Sequence, residues 1–335
     1  MTKTFLNMMF PLIGAVTAVQ AGTNTLVVTA SNAAENQLLV YDTGGKLVQT
    51  VPTQGQGGVT GNAGGIQAKD GLIAVINFGS KSVSIFECGD KGFEVKQLVP
   101  AVSSPVSVAF HRDHLYILGA TKVESHKIDG SYVNPNPDGE AGLVIADGSA
   151  AQVGVVETQL IITEKSNMIE SVNLLPDGAI TGVATPVANI PANVNTPFGL
   201  VTRGTDAYVT IAHANEISLV RHDAILTITG SGTQNAPCWL TLVGPFLFSS
   251  NSPSMSISRY SVFGQKIVQD EAVAATLNGD PTDIDSRDGF VAVIDGNGPL
   301  SHLSIFKVDE DGKLTLLQPA DVISGAANGV AVIAR

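Results

Sequence analysis

The sequence predicts an all-β protein, and more specifically a seven-bladed β-propeller. Apolar and polar residues alternate in short stretches separated by Gly, Ser, Asn and Asp turns, which is the period of β-strands, and helical periodicity is almost absent. A pattern of three strands and two turns recurs in segments 64–88, 104–129, 151–174, 196–222 and 280–317. A repeat of about 40–45 residues made of strands is typical of propeller blades.

The number of blades follows from the spacing of the repeats. Equivalent positions at the start of each first strand are separated by 40, 47, 45, 40, 44 and 47 residues. These positions are Gly65, Pro105, Gln152, Pro197, Pro237, Pro281 and Asn328. The last first strand, in 328–335, has no partners after it, whereas segment 24–51 has second, third and fourth strands without a first. We therefore expect the C-terminal strand to pair with the three N-terminal strands in one shared blade, which closes the ring.

The N-terminus has the layout of a secretory signal peptide. Lys3 is followed by an apolar run over residues 5–16 and by the small-residue ending Val19-Gln20-Ala21. We predict a signal peptide over residues 1–21, a single propeller domain over 22–335, and a secreted protein; a buried first strand is the alternative. The run is short for a membrane span, and no other stretch approaches about 18 apolar residues.

Composition limits the partners. The 335 residues include 30 Asp and Glu against 18 Lys and Arg, a net charge of −12, and no basic stripe is present. Nucleic acid and anionic membrane surfaces are therefore not expected as partners. A small-molecule substrate, or a glycan or peptide on a surface, is expected instead, and a closed ring favours a monomer. Cys88 and Cys238 lie at dissimilar positions of the repeat, so we expect two free thiols.

The predicted ring has two faces, which differ in the strand ends and turns that lie on them. First strands begin and second strands end on one face, here called the loop face, where propeller ligand sites usually lie; the turns between first and second strands form the opposite, hairpin face. Trp239, the only tryptophan, and Asn251 are expected to share a basin on the loop face. The candidate substrate-binding residues are Trp239, Phe198, Asn77, Asn251, Asp295, Gln67 and Asp283. The glycine-rich segment 57–65 is interpreted as a connector between blades.

Several repeats resemble those of a known family. The stretches "PCWLTLVGPFLFSSNSPSMSISRYSV", "TPFGLVTRGTDAYVTIAHANEISLV" and "QLIITEKSNMIESVNLLPDGAIT" are similar to repeats of the seven-bladed propeller lactonases. That family includes carboxymuconate lactonizing enzymes and 6-phosphogluconolactonases, and the most similar branch is secreted and labelled 3-carboxymuconate cyclase-like. The resemblance covers nearly everything after residue 21. It implies a lactonase or cycloisomerase that acts on a small lactone or unsaturated carboxylate.

The candidate catalytic residues are Glu164, His213 and Lys165. Glu164 and His213 occupy equivalent positions on adjacent blades, where either could activate water while Lys165 stabilises an oxyanion. A salt bridge and an exposed histidine are the structural alternative. Three arginines, Arg112, Arg203 and Arg287, are expected on the hairpin face, which argues against a strongly anionic substrate.

The sequence is compatible with a calcium cofactor and with two other functions. No cofactor is predicted, with Ca²⁺ as a less favoured alternative because Glu164, Asn77, Asn251 and Asp295 supply oxygen donors around one channel. A water-filled channel lined by amides is the simpler interpretation. Two further functions compete with the lactonase: a catalytically inert propeller that binds a glycan, peptide or host surface, and a biosynthetic tailoring enzyme that closes or isomerises a ring.

Overall fold

Seven antiparallel β-sheets stand around a common axis, one for each predicted blade. The computed structural model describes residues 25–89, 91–188, 194–317 and 321–334, so the predicted signal peptide lies outside the described residues. Within these ranges the only helical element is a single 3₁₀ turn, Ala212–Ala214. The prediction of an all-β, seven-bladed propeller is confirmed.

The blades are numbered along the chain, and each begins with its inner strand. Blade 1 contains β4 (Ile66–Lys69), β5 (Leu72–Asn77), β6 (Ser82–Gly89) and β7 (Gly92–Pro100). Blade 2 contains β8 (Pro105–His111), β9 (His114–Gly119), β10 (Lys122–Asp129), β11 (Tyr132–Val133) and β12 (Gly139–Gly142). Blade 3 contains β13 (Ala150–Val156), β14 (Gln159–Glu164), β15 (Met168–Leu174) and β16 (Ile180–Pro186). Blade 4 contains β17 (Pro197–Arg203), β18 (Asp206–Ile211), β19 (Glu216–Arg221) and β20 (Ala224–Gly230).

The remaining blades complete the ring. Blade 5 contains β21 (Pro237–Val243), β22 (Phe246–Asn251), β23 (Ser256–Phe263) and β24 (Lys266–Thr276). Blade 6 contains β25 (Asp280–Arg287), β26 (Phe290–Asn297), β27 (Leu300–Val308), β28 (Leu314–Leu316) and β29 (Asp321–Ser324). Blade 7 contains β30 (Asn328–Ala334), β1 (Thr25–Ala30), β2 (Gln37–Asp42) and β3 (Leu47–Pro52).

Local sequence explains the hairpins between inner and second strands. Asp70 and Gly71 join β4 to β5 as a two-residue turn, and both have positive φ angles, of 51° and 83°. Asp288 and Gly289 repeat this arrangement between β25 and β26, with φ angles of 52° and 75°. Asp-Gly is the pair that such tight turns favour, because both residues tolerate the left-handed region.

Burial decreases from the second strands to the rim of the propeller. Every residue of the second strand β5 is buried, whereas the outer strand β20 has one buried residue, Ile225, and then alternates between exposed and half-buried positions. A sheet covered on both faces by its neighbours requires apolar residues on both faces, and an outer strand needs them on one. The hydrophobic core therefore lies between neighbouring blades.

The ring closes as predicted. β30 pairs antiparallel with β1, so that Thr25 faces Ala334 and Val28 faces Ala331. Each inner strand also contacts the inner strand of the next blade around the whole ring, including β25 with β30 and β30 with β4. The C-terminal strand therefore completes a blade whose other strands come from the N-terminal part of the described chain.

Cys88 and Cys238 are free thiols, as expected. Over the described ranges, no helix has the length and apolar character needed to cross a membrane.

The closure yields a testable prediction. Thr29 donates a buried hydrogen bond of 2.6 Å from its hydroxyl to the carbonyl of Gly329, across the seam. The isosteric change Thr29→Val leaves this buried carbonyl without that donor, so the free energy of unfolding should fall by about 1–3 kcal/mol. Urea denaturation followed by circular dichroism measures the change. Thr50→Val, the same substitution at an exposed position of β3, is the control and should stay within about 0.5 kcal/mol; equal losses in both variants would contradict the prediction.

Candidate functional site

The inner strands of all seven blades surround a cavity of ≈ 240 Å³, here called the axial cavity. Its polar and aromatic lining residues are Gln67, Phe110, His111, Gln152, Thr202, Trp239, Thr241, Asp283 and Asp285. Pockets for drug-sized ligands have volumes of about 300–1,000 Å³, so this cavity has the size for a smaller molecule such as a single sugar ring.

Trp239 closes one end of the axial cavity. Its indole Nε1–H donates a hydrogen bond of 3.0 Å to the carbonyl of Asn62, and its ring packs edge to face against Phe198 at 5.2 Å between centroids. Residues 62–65 are all buried. Trp239 and Phe198 were both predicted as substrate-binding residues. Trp239 lines the cavity, whereas Phe198 packs against Trp239 and is not among the lining residues.

Segment 57–65 is more than a connector, because it crosses the axis at this closed end. Asn62 donates its amide to the carbonyl of Val106 in blade 2 at 2.7 Å and accepts from the amide of Asn328 in blade 7 at 2.9 Å. Ala63 donates its N–H to the carbonyl of Ala151 in blade 3 at 3.1 Å. One short segment thus joins distant blades and plugs the loop face of the cavity.

The other end of the axial cavity opens toward the hairpin face. The lining residues at that end, among them Phe110, His111, Thr202 and Asp285, are half-buried, whereas Trp239 and Asp283 at the plugged end are buried. A ligand in this cavity would therefore approach from the face that carries the turns between inner and second strands.

Two carboxylates of β25 line the cavity together. Asp283 and Asp285 are two residues apart, so the strand turns both side chains to the same face. Asp283 accepts N–H groups from Ile284 at 3.0 Å and from Val330 at 3.3 Å, and Asp285 accepts from Val332 at 2.8 Å. Burial raises the pKa of Asp283 to about 8 and that of Asp285 to about 6, because charge is costly where water is scarce.

Amides and one imidazole complete the polar lining. Gln152 accepts the N–H of Leu200 at 2.6 Å, while the Gln67 side chain makes no hydrogen bond to any described residue. His111 has a buried Nε2 that lacks a partner among the described residues. Burial, Arg112 and Lys69 lower the pKa of His111, which keeps its ring neutral at pH 7.

The structure places Glu164 inside blade 3 and away from the cavity lining. Its carboxylate is 0% exposed and accepts the N–H groups of Ile145 at 3.0 Å and of Ala146 at 3.1 Å. Burial raises the pKa of Glu164, and these two donors partly oppose that shift. The carboxylate thus fixes the chain as it enters blade 3.

Lys165 and His213, the other two predicted catalytic residues, lie on the loop face. The Lys165 ammonium donates to the carbonyl of Gly61 at 2.5 Å and lies 5.9 Å from the centroid of the Phe198 ring. His213 is exposed, and its Nδ1 is 2.8 Å from the hydroxyl of Thr196. Lys165 therefore fastens the plugging segment from outside, and neither residue lines the axial cavity.

Three further candidate residues are buried and contact neighbouring side chains of the protein. Asn77, Asn251 and Asp295 are all 0% exposed at the ends of second strands. Asn77 accepts from the hydroxyl of Thr53 at 2.7 Å, Asn251 donates to two serines of its own blade at 2.8 and 3.1 Å, and Asp295 lies 2.8 Å from Nδ1 of His302. Asn251 consequently does not share a basin with Trp239. Gln67 and Asp283, by contrast, line the axial cavity together with Trp239.

The oxygen donors considered for a calcium site already have partners within the protein. Over the described ranges, no three His, Cys, Asp or Glu side chains form a group that could hold a metal ion. The two carboxylates of the expected set, Glu164 and Asp295, bind backbone amides and His302.

Sequence reasoning did not single out Asp285 and Glu170, whose pKa values are raised. Asp285 had a usable signal, since it lies two residues after the predicted Asp283 in a strand. Glu170 had none, because its burial depends on how the loop before blade 3 folds over it. Glu170 accepts the N–H of Val144 at 2.8 Å through Oε2, and its Oε1 is buried without a partner among the described residues.

Comparison with known proteins supports the fold. No protein-family model and no curated protein matches the chain. A Bacteroides fragilis protein provisionally assigned as a 6-phosphogluconolactonase has a similar structure, with 12% identity, a TM-score of 0.70, and coverage of 94% of this chain and 99% of that one. The periplasmic gluconolactonase of Pseudomonas aeruginosa gives 14% identity, a TM-score of 0.66, and coverage of 93% and 99%. The virginiamycin B lyase of Staphylococcus aureus gives 14% identity, a TM-score of 0.56, and coverage of 76% of this chain and 83% of that one. At these identities the likeness establishes the shared propeller fold, which hosts more than one chemistry.

The buried pair Glu164 and Glu170 yields a prediction about pH. Burial, with a further contribution from Glu164, raises the pKa of Glu170 to about 8, against about 4.3 in an unfolded chain. Between these values the folded protein holds the proton more tightly than the unfolded chain does, so the free energy of unfolding falls as pH rises through this window. Glu170→Gln keeps an acceptor for Val144 and removes the ionisation.

Glu170→Gln should therefore flatten the dependence of stability on pH between 5 and 8 and raise the free energy of unfolding at pH 8 by at least about 1 kcal/mol. Urea denaturation at a series of pH values measures this. Glu310→Gln, at an exposed turn residue, serves as the control. A Glu170→Gln curve that runs parallel to the wild-type curve would refute the prediction.

Proposed function

We propose that the axial cavity is the active site of a lactonase-like enzyme that hydrolyses a small lactone. The observation that carries this proposal is the pair Asp283 and Asp285 in one cavity, with pKa values raised to about 8 and about 6. At pH 7 one carboxyl is then protonated and the other ionised, which suits an acid and a base working together. The shared fold with a named gluconolactonase adds support of a weaker kind.

Asp285 supplies the base in this proposal. Its half-buried carboxylate takes a proton from water, and the water oxygen attacks the lactone carbonyl to form a tetrahedral intermediate. When the intermediate collapses, the bond between the carbonyl carbon and the ring oxygen breaks. Asp285 then returns its proton to the ring oxygen, so the product is a hydroxy acid.

Asp283 supplies the hydrogen-bond donor. As a protonated carboxyl it donates to the oxyanion of the intermediate, a role that needs no neighbouring cation. Gln67 presents an amide without a described partner, and the face of Trp239 forms the apolar floor for the ring of the substrate. Hydrogen-bonding groups at the sides and an apolar floor are what orient a small polar ring in a pocket.

The residues predicted from sequence alone form a second proposal. Glu164, Lys165 and His213 would act on the loop face on a lactone or an unsaturated carboxylate, as in the lactonase and cyclase family that the repeats resemble. The buried and bonded carboxylate of Glu164 makes this proposal the weaker one.

Secretion is also proposed. It is supported by the N-terminal pattern in residues 1–21 and by the periplasmic origin of one protein of similar structure.

Hydrolysis of a panel of neutral and anionic lactones tests both proposals. Asp285→Asn should lower kcat/KM by at least about 100-fold, the usual effect of losing a general base, with little change in the folded structure. Asp311→Asn, an equal change of charge in an exposed turn, should leave the rate unchanged. A rate lost in Glu164→Gln but kept in Asp285→Asn would favour the loop-face site. No turnover across the panel would contradict the enzymatic proposal and favour a propeller that only binds its ligand.

The pH profile of kcat/KM is a separate test. Activity should rise through about pH 6 as Asp285 ionises and fall above about pH 8 as Asp283 loses its proton, which gives a bell-shaped curve. In Asp283→Asn the rate should be lower and the fall above pH 8 should disappear. Initial rates corrected for spontaneous hydrolysis measure both curves. A wild-type rate that climbs steadily to pH 9 would exclude a protonated Asp283 from the mechanism.

A further inference from the structure

The axial cavity contains acids but no cation. Asp283 and Asp285 line it, and neither Lys nor Arg is among its described lining residues. His111 is its one basic side chain, and Arg112, Lys69 and burial favour the neutral form of that ring. An anionic ligand would therefore meet carboxyl groups, and it would find none of the Arg or Lys side chains that recognise phosphate and carboxylate groups.

The cations of the hairpin face are already engaged. Lys69 forms an ion pair with Asp70, and Arg287 lies 3.8 Å from Asp288. The guanidinium of Arg112 donates to a backbone carbonyl of the next blade at 3.2 Å. Each of these positive side chains has a partner on the hairpin face, and none of them is among the described lining residues of the axial cavity.

Neutral hydroxyl groups meet a different environment. Asp285 accepts hydrogen bonds, Gln67 both donates and accepts, and Thr202 adds a half-buried hydroxyl at the open end. Each inner strand pairs with only one strand of its own sheet, so its second edge also turns backbone N–H and C=O groups toward the axis. A ring with several hydroxyl groups can satisfy donors and acceptors of this kind without bringing a charge into the cavity.

We propose that the axial cavity binds uncharged polyhydroxylated rings, of the size and polarity of a sugar lactone, and rejects their phosphorylated or carboxylated forms. For binding, this inference stands on the charge and shape of the cavity alone; as a statement about substrates it rests on the proposed function. It excludes both a phosphosugar and a muconate-type tricarboxylate as ligands of this cavity.

Calorimetry with non-hydrolysable ligands tests the inference. Glucono-δ-lactam and its 6-phosphate have the same ring, resist hydrolysis as lactams, and differ by about two negative charges. The neutral lactam should bind, and the phosphate should bind at least roughly a hundredfold more weakly, which is the size of charge repulsion at an effective dielectric constant near 20. Quenching of Trp239, the only tryptophan, gives an independent signal from the cavity floor.

Variants show whether the negative charge in the axial cavity causes the difference in affinity between the two lactams. Asp285→Asn should narrow the difference between the two lactams by at least roughly tenfold, because it removes a negative charge and keeps a polar side chain. Asp311→Asn changes the net charge equally from an exposed turn and should leave the difference unchanged. Equal or tighter binding of the phosphate, a difference insensitive to Asp285→Asn, or failure of both lactams to bind would each overturn the inference.

The outcome can be separated from that of the proposed function. Tighter binding of the neutral lactam than of its phosphate, without turnover of any lactone, would uphold the selectivity and contradict the hydrolysis. Efficient turnover of a phosphorylated lactone, abolished by Asp285→Asn, would uphold the hydrolysis and overturn the selectivity.

Discussion

The constraint on which this structure depends is the unpaired edge of its inner strands. Each inner strand has a hydrogen-bonded partner on one side only, and its other edge faces the axis. Backbone groups buried without partners are costly, so the chain must supply side chains to bind them. Gln152 accepts the N–H of Leu200 at 2.6 Å, and Asp285 accepts that of Val332 at 2.8 Å. Each such contact joins one blade to the next, so satisfying the edges also holds the ring together.

The polar cavity follows from the same constraint. Asp283 and Asp285 bind the edge of blade 7 and at the same time line the cavity, so the side chains that join two blades are also those to which we assign ligand contact. Burial makes their ionisation costly, and neutral Asn or Gln side chains could accept the same N–H groups without that cost. Acids retained where amides would suffice are characteristic of functional sites, where a shifted pKa is useful.

Sequence periodicity was sufficient for the fold and for part of the site. Repeat spacing determined the blade number and the shared blade, and strand position placed Gln67, Trp239 and Asp283 near the axis. Position at the end of a second strand was less informative. The alternation of apolar and polar residues does not say whether a polar side chain faces a ligand or binds a loop of the protein, and the Glu164 side chain binds a loop. The position of segment 57–65 across the axis could not be predicted from the sequence, because its contact joins Asn62 to Trp239, which lie 177 positions apart.

Segment 57–65 determines from which face the axial cavity can be reached. With Trp239 and residues 62–65 filling the loop face, the axial cavity communicates with solvent at the hairpin face, whose turns are short and tightly constrained. Tight turns move little when a ligand arrives, so recognition there must come from groups already in place on the inner strands. A preformed, acidic, one-ended cavity favours a small neutral ligand that exchanges hydrogen bonds for those of water, over a large or charged ligand that would require the rim to rearrange.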